Sequence, residues 1–185
     1  MSIFYLTYLL WISSEVILSR IARIGKSESK SADKNSNLII WIAIILSVFI
    51  GVTITFAFEL PVSGNSWFAQ TGILIIFCGI FIRFTAIRQL GRFFTVTVLI
   101  RKDHQLIQNG FYKFLRHPSY TGALISFLGF GISINNWLAL PVVILIPLSA
   151  FIHRINVEEK VLLKEFGTQY EEYAKRTKRL IPFVY

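Results

Sequence analysis

The sequence predicts an all-α integral membrane protein of about five transmembrane helices, built as one domain over residues 1–185. Three observations predict it. Hydrophobic residues make up 54% of the 185-residue chain, and the mean hydropathy is +0.60, too apolar for an ordinary soluble domain of this length. The apolar residues fall in runs approaching the roughly 20 residues that a helix needs to cross a bilayer. The 19 Lys and Arg residues all lie between those runs or at their ends. A net charge of +9 could serve nucleic acid. A basic surplus confined to the ends of apolar segments points instead to membrane topology and anionic headgroups. The single cysteine, Cys78, lies inside an apolar run, which leaves no disulfide within the chain and no cysteine-based metal site.

The first span is predicted over residues 3–19. The first basic residue is Arg20, so the start lacks the basic region of a cleaved signal peptide and reads as a retained span. Glu15 sits inside it. Intramembrane acids default to a functional suspicion; the alternatives are that Glu15 reaches the interface or pairs with Arg83. A Ser- and Lys-rich linker follows at 20–37. The second span, 38–58, carries no charge and is ended by Glu59, Leu60 and Pro61. The third span is 67–87. Beyond it, the alternation Thr95, Val96, Thr97, Val98 suits a short extended segment. A polar loop at 101–119 precedes two apolar stretches, 120–135 and 137–152, split by Asn135 and Asn136. Each is short for a full crossing, which predicts a tight hairpin, tilted or in a locally thinned bilayer. Pro141 and Pro147 are candidate kinks in its second arm. The cytoplasmic tail, 153–185, reads as amphipathic, with Val161, Leu162 and Phe166 near one helical face. Gly167 suits a C-cap. Thr168 with Glu171 matches a capping box opening a second short helix, which Pro182 stops.

Basic residues fill the first linker, the end of the third span with the central loop, and the tail. The connections at 59–66 and at Asn135 and Asn136 carry none. The positive-inside rule then places the N-terminus outside, and the linker, central loop and C-terminus in the cytoplasm. Loop and tail can therefore build one site.

Residues 104–122 form a polar, turn-rich island holding His104, Tyr112, Arg116, His117 and Tyr120. Pro118 can open a helix, because its missing N–H would be unpaired there anyway. The backbone N–H groups after it would face back toward Arg116 and His117 and seat an anion. Gly110 predicts a turn that brings the Leu106 side back over that seat. On the loop alone, interfacial anchoring to headgroups is the slightly favoured reading of Arg116 and His117. Arg154 and Glu158 stand i, i+4 on one predicted helix face, either as a surface salt bridge of little energy or as a functional pair. The three histidines show no H-x-x-x-H spacing, so no metal is expected.

The pattern H-x-L-I-x-x-G-x-Y-x-x-x-R-H-P-x-Y-x-G at 104–122, then an apolar hairpin, then R-x-x-x-E-E at 154–159 and F-G-x-x-Y-x-x-Y at 166–173, resembles the isoprenylcysteine carboxyl methyltransferase family, which is related to the phospholipid N-methyltransferases. The resemblance runs from about Gly91 to Pro182. It implies S-adenosyl-L-methionine as methyl donor, bound at the cytoplasmic membrane face without a Rossmann fold; no G-x-G-x-x-G occurs here. By resemblance, cofactor contacts fall on His104, Gln105, Leu106, Ile107, Tyr112, His117, Pro118, Ser119, Tyr120 and Glu158, with Gln105 and Ile107 acting through backbone. Arg154 would face the methyl acceptor and form the catalytic pair with Glu158. Residue chemistry agrees. The cofactor carboxylate suits the helix start at Arg116 and His117. Its sulfonium suits the face of Tyr112 or Tyr120. Glu158 or Glu159 can take its ammonium or ribose hydroxyls, with Glu159 also readable as a solvated neighbour.

The expected activity is methyl transfer to a lipophilic acceptor among membrane lipids, most specifically carboxyl O-methylation of an isoprenylcysteine-like substrate, with neither nucleic acid nor metal as partner. In-line displacement at a carbon already activated by a sulfonium asks the protein mainly to align its substrates and exclude water. The alternatives are phospholipid N-methylation, which an arginine at the acceptor position disfavours, a reductase-like NADPH-binding membrane protein, and a headgroup-binding scaffold.

Overall fold

The computed structural model describes residues 2–21, 36–94 and 105–182. Among them are six α-helices: α1 (Ser2–Ile21), α2 (Ser36–Ala57), α3 (Ser66–Leu90), α4 (Pro118–Ser133), α5 (Ala139–Phe166) and α6 (Thr168–Arg176). Short 3-10 turns lie at Gly91–Phe93 and Gly110–Lys113, and the described residues form no strand. The extended segment expected at 95–98 lies outside the described residues.

The apolar patterning produces a multi-pass, all-helical membrane protein. Helices α2, α3 and α5 are long and apolar enough to cross a membrane. The apolar run Ile3–Leu18 in α1 is shorter. The 16 residues of α4 rise about 24 Å, against a hydrocarbon core of about 30 Å.

Helix α3 packs most extensively on α4, and α2 on α5; α4 joins the two pairs, and α1 lies on α3. Small residues bring α3 and α4 together. Gly72 and Gly79 repeat at the same interval as Gly122 and Gly129, and each pair faces the other. A Cβ on Gly79 would strike Ser126 and the Gly122 carbonyl, and one on Gly129 would lie 2.6 Å from the Gly72 carbonyl. Lipid offers apolar side chains as good a home as the protein does, so close backbone approach is what holds such a pair. From α1, Trp11 packs edge-on against Phe127 at 5.0 Å and tilted on Phe130 at 5.5 Å.

At one end, asparagines tie the turn after α4 to the loop after α2. Asn135 Nδ2 donates to the Ser63 carbonyl (2.8 Å), while its Oδ1 accepts from Ser63 N–H (3.0 Å). Asn136 Nδ2 donates to the Phe58 carbonyl, and its Oδ1 takes the Leu138 and Ala139 N–H groups that open α5. The opposite end holds the segment from 105 to 117 and the tail.

Two boundaries differ from expectation. The second hairpin arm does not stop at 152: α5 is continuous for 28 residues and carries Arg154, Glu158 and Glu159 out of the apolar zone. Pro141 falls in its first turn, where a missing N–H costs no intrahelical bond, so it is not a kink site. The capping box at Thr168 does not form. Gly167 adopts φ 51°, a conformation that favours glycine, and its N–H closes α5 on the Leu163 carbonyl at 2.9 Å. That residue immediately precedes α6, so Thr168 is already helical.

Candidate active site

The site begins where Pro118 opens α4, with His117 as the N-cap. The chain just before it runs beside the tail: Arg116 N–H donates to the Lys178 carbonyl (2.7 Å), His117 N–H to the Arg179 carbonyl (3.1 Å), and Lys178 N–H to the Phe114 carbonyl (3.1 Å). Thr121 Oγ1 adds a bond to the Leu180 carbonyl (2.7 Å). Gly110, at φ 57°, makes the expected turn. The Gln89 side chain occupies the place where a Cβ on Gly110 would lie, and its Oε1 accepts from Phe111 N–H at 3.0 Å. The turn buries Tyr112, whose hydroxyl donates to the Ala86 carbonyl (3.3 Å), while Tyr173 donates to the Tyr112 carbonyl (2.8 Å). Burial pushes both phenol pKa values up, so both tyrosines remain neutral donors.

The last third of α5 presents Arg154 and Glu158 one turn apart. Glu158 Oε1 accepts from Tyr120 Oη (2.7 Å) and Arg154 Nε (2.9 Å); its Oε2 lies 3.4 Å from His117 Nδ1. Arg154 Nη1 donates to Ser36 Oγ at the start of α2. The arginine is 1% exposed. His117 Nε2 faces Glu159 Oε1 at 3.3 Å. Burial opposes a charge on His117, but hydrogen bonds to Glu158 and Glu159 outweigh it and raise its pKa above the ordinary 6.5. Both ring nitrogens face carboxylates, an arrangement that favours the protonated imidazole, in which both donate.

The adjacent glutamates have separate work. Glu158 lines a cavity together with Gln105, Leu106, Ile107, Tyr112, Arg116, His117, Ser119, Tyr120 and Arg154. Glu159 faces the other way, accepting from Arg116 Nε (2.8 Å) and Arg179 Nη2 (2.6 Å). Arg116 Nη1 also reaches the Ala174 and Thr177 carbonyls. Arg116 therefore borders the cavity while its Nε and Nη1 clasp the loop to the tail, and Glu159 is a partly buried member of that clasp rather than a solvated neighbour. The Tyr120 ring stacks on Phe151 (5.1 Å between centroids) and on His117 (5.9 Å). Pro118 is buried and shapes the helix start without lining the cavity. His104 lies outside the described residues.

The cavity recruits residues that sequence reasoning left out of the site. Glu15 and Arg83, 3.0 Å apart, both line it, and Arg83 Nη1 donates to the Ser119 carbonyl (2.9 Å). This is the pairing named among the alternatives for Glu15. Tyr170 and Tyr173, visible in the F-G-x-x-Y-x-x-Y pattern, close it from α6. Asn37 and Trp41 of α2 also line it; nothing in a linker-to-span boundary marks them. Leu18, Ile40, Ile44, Phe93, Phe94 and Phe151 form an apolar wall. A charged end beneath a greasy wall suits an amphiphile whose polar head enters first.

The family model described as "Isoprenylcysteine carboxyl methyltransferase (ICMT) family" matches residues 72–164. Protein-S-isoprenylcysteine O-methyltransferase B of Arabidopsis thaliana is 38% identical over 120 residues, 64% of this chain and 61% of that protein. A probable protein-S-isoprenylcysteine O-methyltransferase of Oryza sativa subsp. indica is 34% identical over 134 residues, 71% of this chain and 70% of the relative. A solved structure of the eukaryotic intramembrane Ras methyltransferase ICMT superposes with a TM-score of 0.70 at 28% identity, covering 96% of this chain and 67% of that one.

Proposed function

The chain belongs to the isoprenylcysteine carboxyl methyltransferase family, and from that premise we propose that it transfers a methyl group from S-adenosyl-L-methionine to the carboxylate of a lipophilic, isoprenylcysteine-like acceptor. The observation that carries the proposal is the Arg154–Glu158 pair, one helical turn apart in one cavity, with the apolar wall of α2 beside it. The cavity's chemistry fits the cofactor. Glu158 offers a carboxylate for a cation or for ribose hydroxyls, Tyr112 an aromatic group, and Gln105, Leu106 and Ile107 line the same cavity. When bound, the cofactor supplies an electrophilic methyl on a sulfonium.

The chain's own groups do the rest. Glu158, held by Tyr120 and Arg154, stays ionised and fixed. Arg154 offers a planar fork that matches a carboxylate. The apolar wall excludes water from the charged end. A carboxylate acceptor needs no base, whereas an ammonium must first lose a proton. His117 faces a carboxylate from each ring nitrogen, which disfavours it as a proton acceptor and so favours O- over N-methylation. Arg116 and Glu159 serve as the clasp behind the donor site. We assign five crossings with the N-terminus outside and the loop and tail in the cytoplasm, on the distribution of basic residues. Impermeant thiol labelling from outside should mark Asn65→Cys and spare Lys175→Cys; the reverse pattern rejects the orientation.

The activity test uses isotope-labelled methyl donor and reconstituted protein. Mild base should release volatile labelled methanol from an ester product. Label that resists base indicates N-methylation and overturns the assignment.

A further inference from the structure

Arg154 is among the largest fully buried side chains of the protein. A guanidinium taken out of water must be hydrogen-bonded. One fixed partner comes from its own helix: Glu158 Oε1 on Nε at 2.9 Å. That contact fixes one nitrogen of the planar group. A second partner comes from another helix. Ser36, the first residue of α2 and itself 1% exposed, accepts from Nη1. Contacts on two different nitrogens, from two packed helices, set both the position and the plane of the fork. Asn37, the next residue, lines the same cavity, and Ile40, Trp41 and Ile44 continue the lining along α2. The face of α2 that locks Arg154 thus also forms part of the apolar wall. The family match starts at residue 72, so this contribution lies outside it.

We propose that Ser36 is a positioning residue for the methyl acceptor: with Glu158 it aims the Arg154 fork, so the start of α2 sets where the acceptor carboxylate sits. The proposal rests on Arg154 being the acceptor's ligand, as read above. It assigns α2 a part in acceptor alignment and leaves the donor site to the loop, α4 and Glu158.

The test compares Ser36→Ala and Ser36→Thr in full-length protein reconstituted in lipid vesicles. The acceptor is an S-farnesylated cysteine with a free carboxylate, and S-adenosylmethionine affinity is measured by calorimetry. Loss of a hydrogen bond to a charged group should lower acceptor kcat/KM about ten-fold or more. Cofactor Kd should stay within about two-fold of wild type. Ser36→Thr, which keeps the hydroxyl, should restore most of the rate. In an Arg154→Lys background, Ser36→Ala should add little, because the two residues act as one unit. Should Ser36→Ala fold poorly, Ser36→Cys keeps the size with a far weaker acceptor atom and should show the same split. Equal losses in cofactor affinity and acceptor turnover, or no loss at all, overturn the positioning role. If Arg154→Lys is itself fully active, the reading of Arg154 fails. If Arg154→Lys is impaired and Ser36→Ala is not, only the role of Ser36 falls.

Discussion

Replacing Glu159 by Gln should loosen the protein while leaving the cavity's own ligands in place. Glu159 accepts from Arg116 and Arg179 and faces His117, but it does not line the cavity. Glutamine keeps the volume and removes the charge, so buried cations lose their shared anion. Breaking a buried ion pair by removing one partner costs about 3–5 kcal/mol. The Arg116 and Glu159 side chains are 11% and 13% exposed, which puts the pair in that regime. Arg179, at 29%, contributes less, and Arg116 keeps two tail carbonyls. The lower end, about 3 kcal/mol, is therefore expected. For a chain of this size that corresponds to a fall in Tm of about 6–12 °C. Thermal unfolding in detergent reads the shift, and calorimetry with S-adenosylmethionine well below the transition reads the site. A Tm within about 2 °C of wild type would refute the clasp. So would a folded variant that has lost its cofactor, since Glu159 would then be a ligand.

Glu158→Ala and His117→Ala should each weaken S-adenosylmethionine binding by on the order of 1–3 kcal/mol; unchanged calorimetric affinity in both folded variants moves the cofactor elsewhere. Gly79→Leu drives a side chain into Ser126 and the Gly122 backbone and should cost about 1–3 kcal/mol or more in thermal stability. Gly64→Ala, with nothing within 4 Å of the added Cβ, should be neutral, and equal Tm values for the two variants would reject close α3–α4 packing. The raised pKa of His117 means that its charged form stabilises the fold. The wild-type advantage over His117→Gln should be full below pH 6.5 and fade as pH rises through the folded value. An advantage that grows with pH would show a neutral imidazole.

Much of the site was legible because local rules decided it. Pro118 opens α4, and Gly110 and Gly167 take the positive φ that their turns require. The apolar runs became helices, and Arg154 and Glu158 share a face, as i, i+4 spacing dictates. What escaped was decided by partners distant in sequence. Arg116 and Glu159 are 43 residues apart, and nothing near either shows that they meet, so the clasp that Arg116 makes with the tail is invisible until the tail is folded against it. The continuity of α5 through 152 was hidden because polar residues after an apolar run suggest an exit from the membrane. Here the exit is a continuation of the same helix, with its charges turned onto the loop and the cavity. The capping box failed because Gly167 already fixes the chain direction before Thr168. Ser36 carried no signal, since a serine at the end of a polar linker is ordinary until an arginine 118 residues away reaches it.

The claim on which the rest depends is that one turn of α5 divides donor from acceptor, with Glu158 serving the first and Arg154 the second. Arg154→Lys tests it most directly. A lysine keeps a positive charge near Glu158, which Tyr120 still holds, and loses the two-point fork, so alignment in the transition state suffers more than the donor site. Steady-state rates with an S-farnesylated cysteine, measured beside calorimetric titration with S-adenosylmethionine, should show acceptor kcat/KM falling about ten-fold or more at near wild-type cofactor affinity. Normal turnover, or a defect confined to cofactor binding, would contradict it.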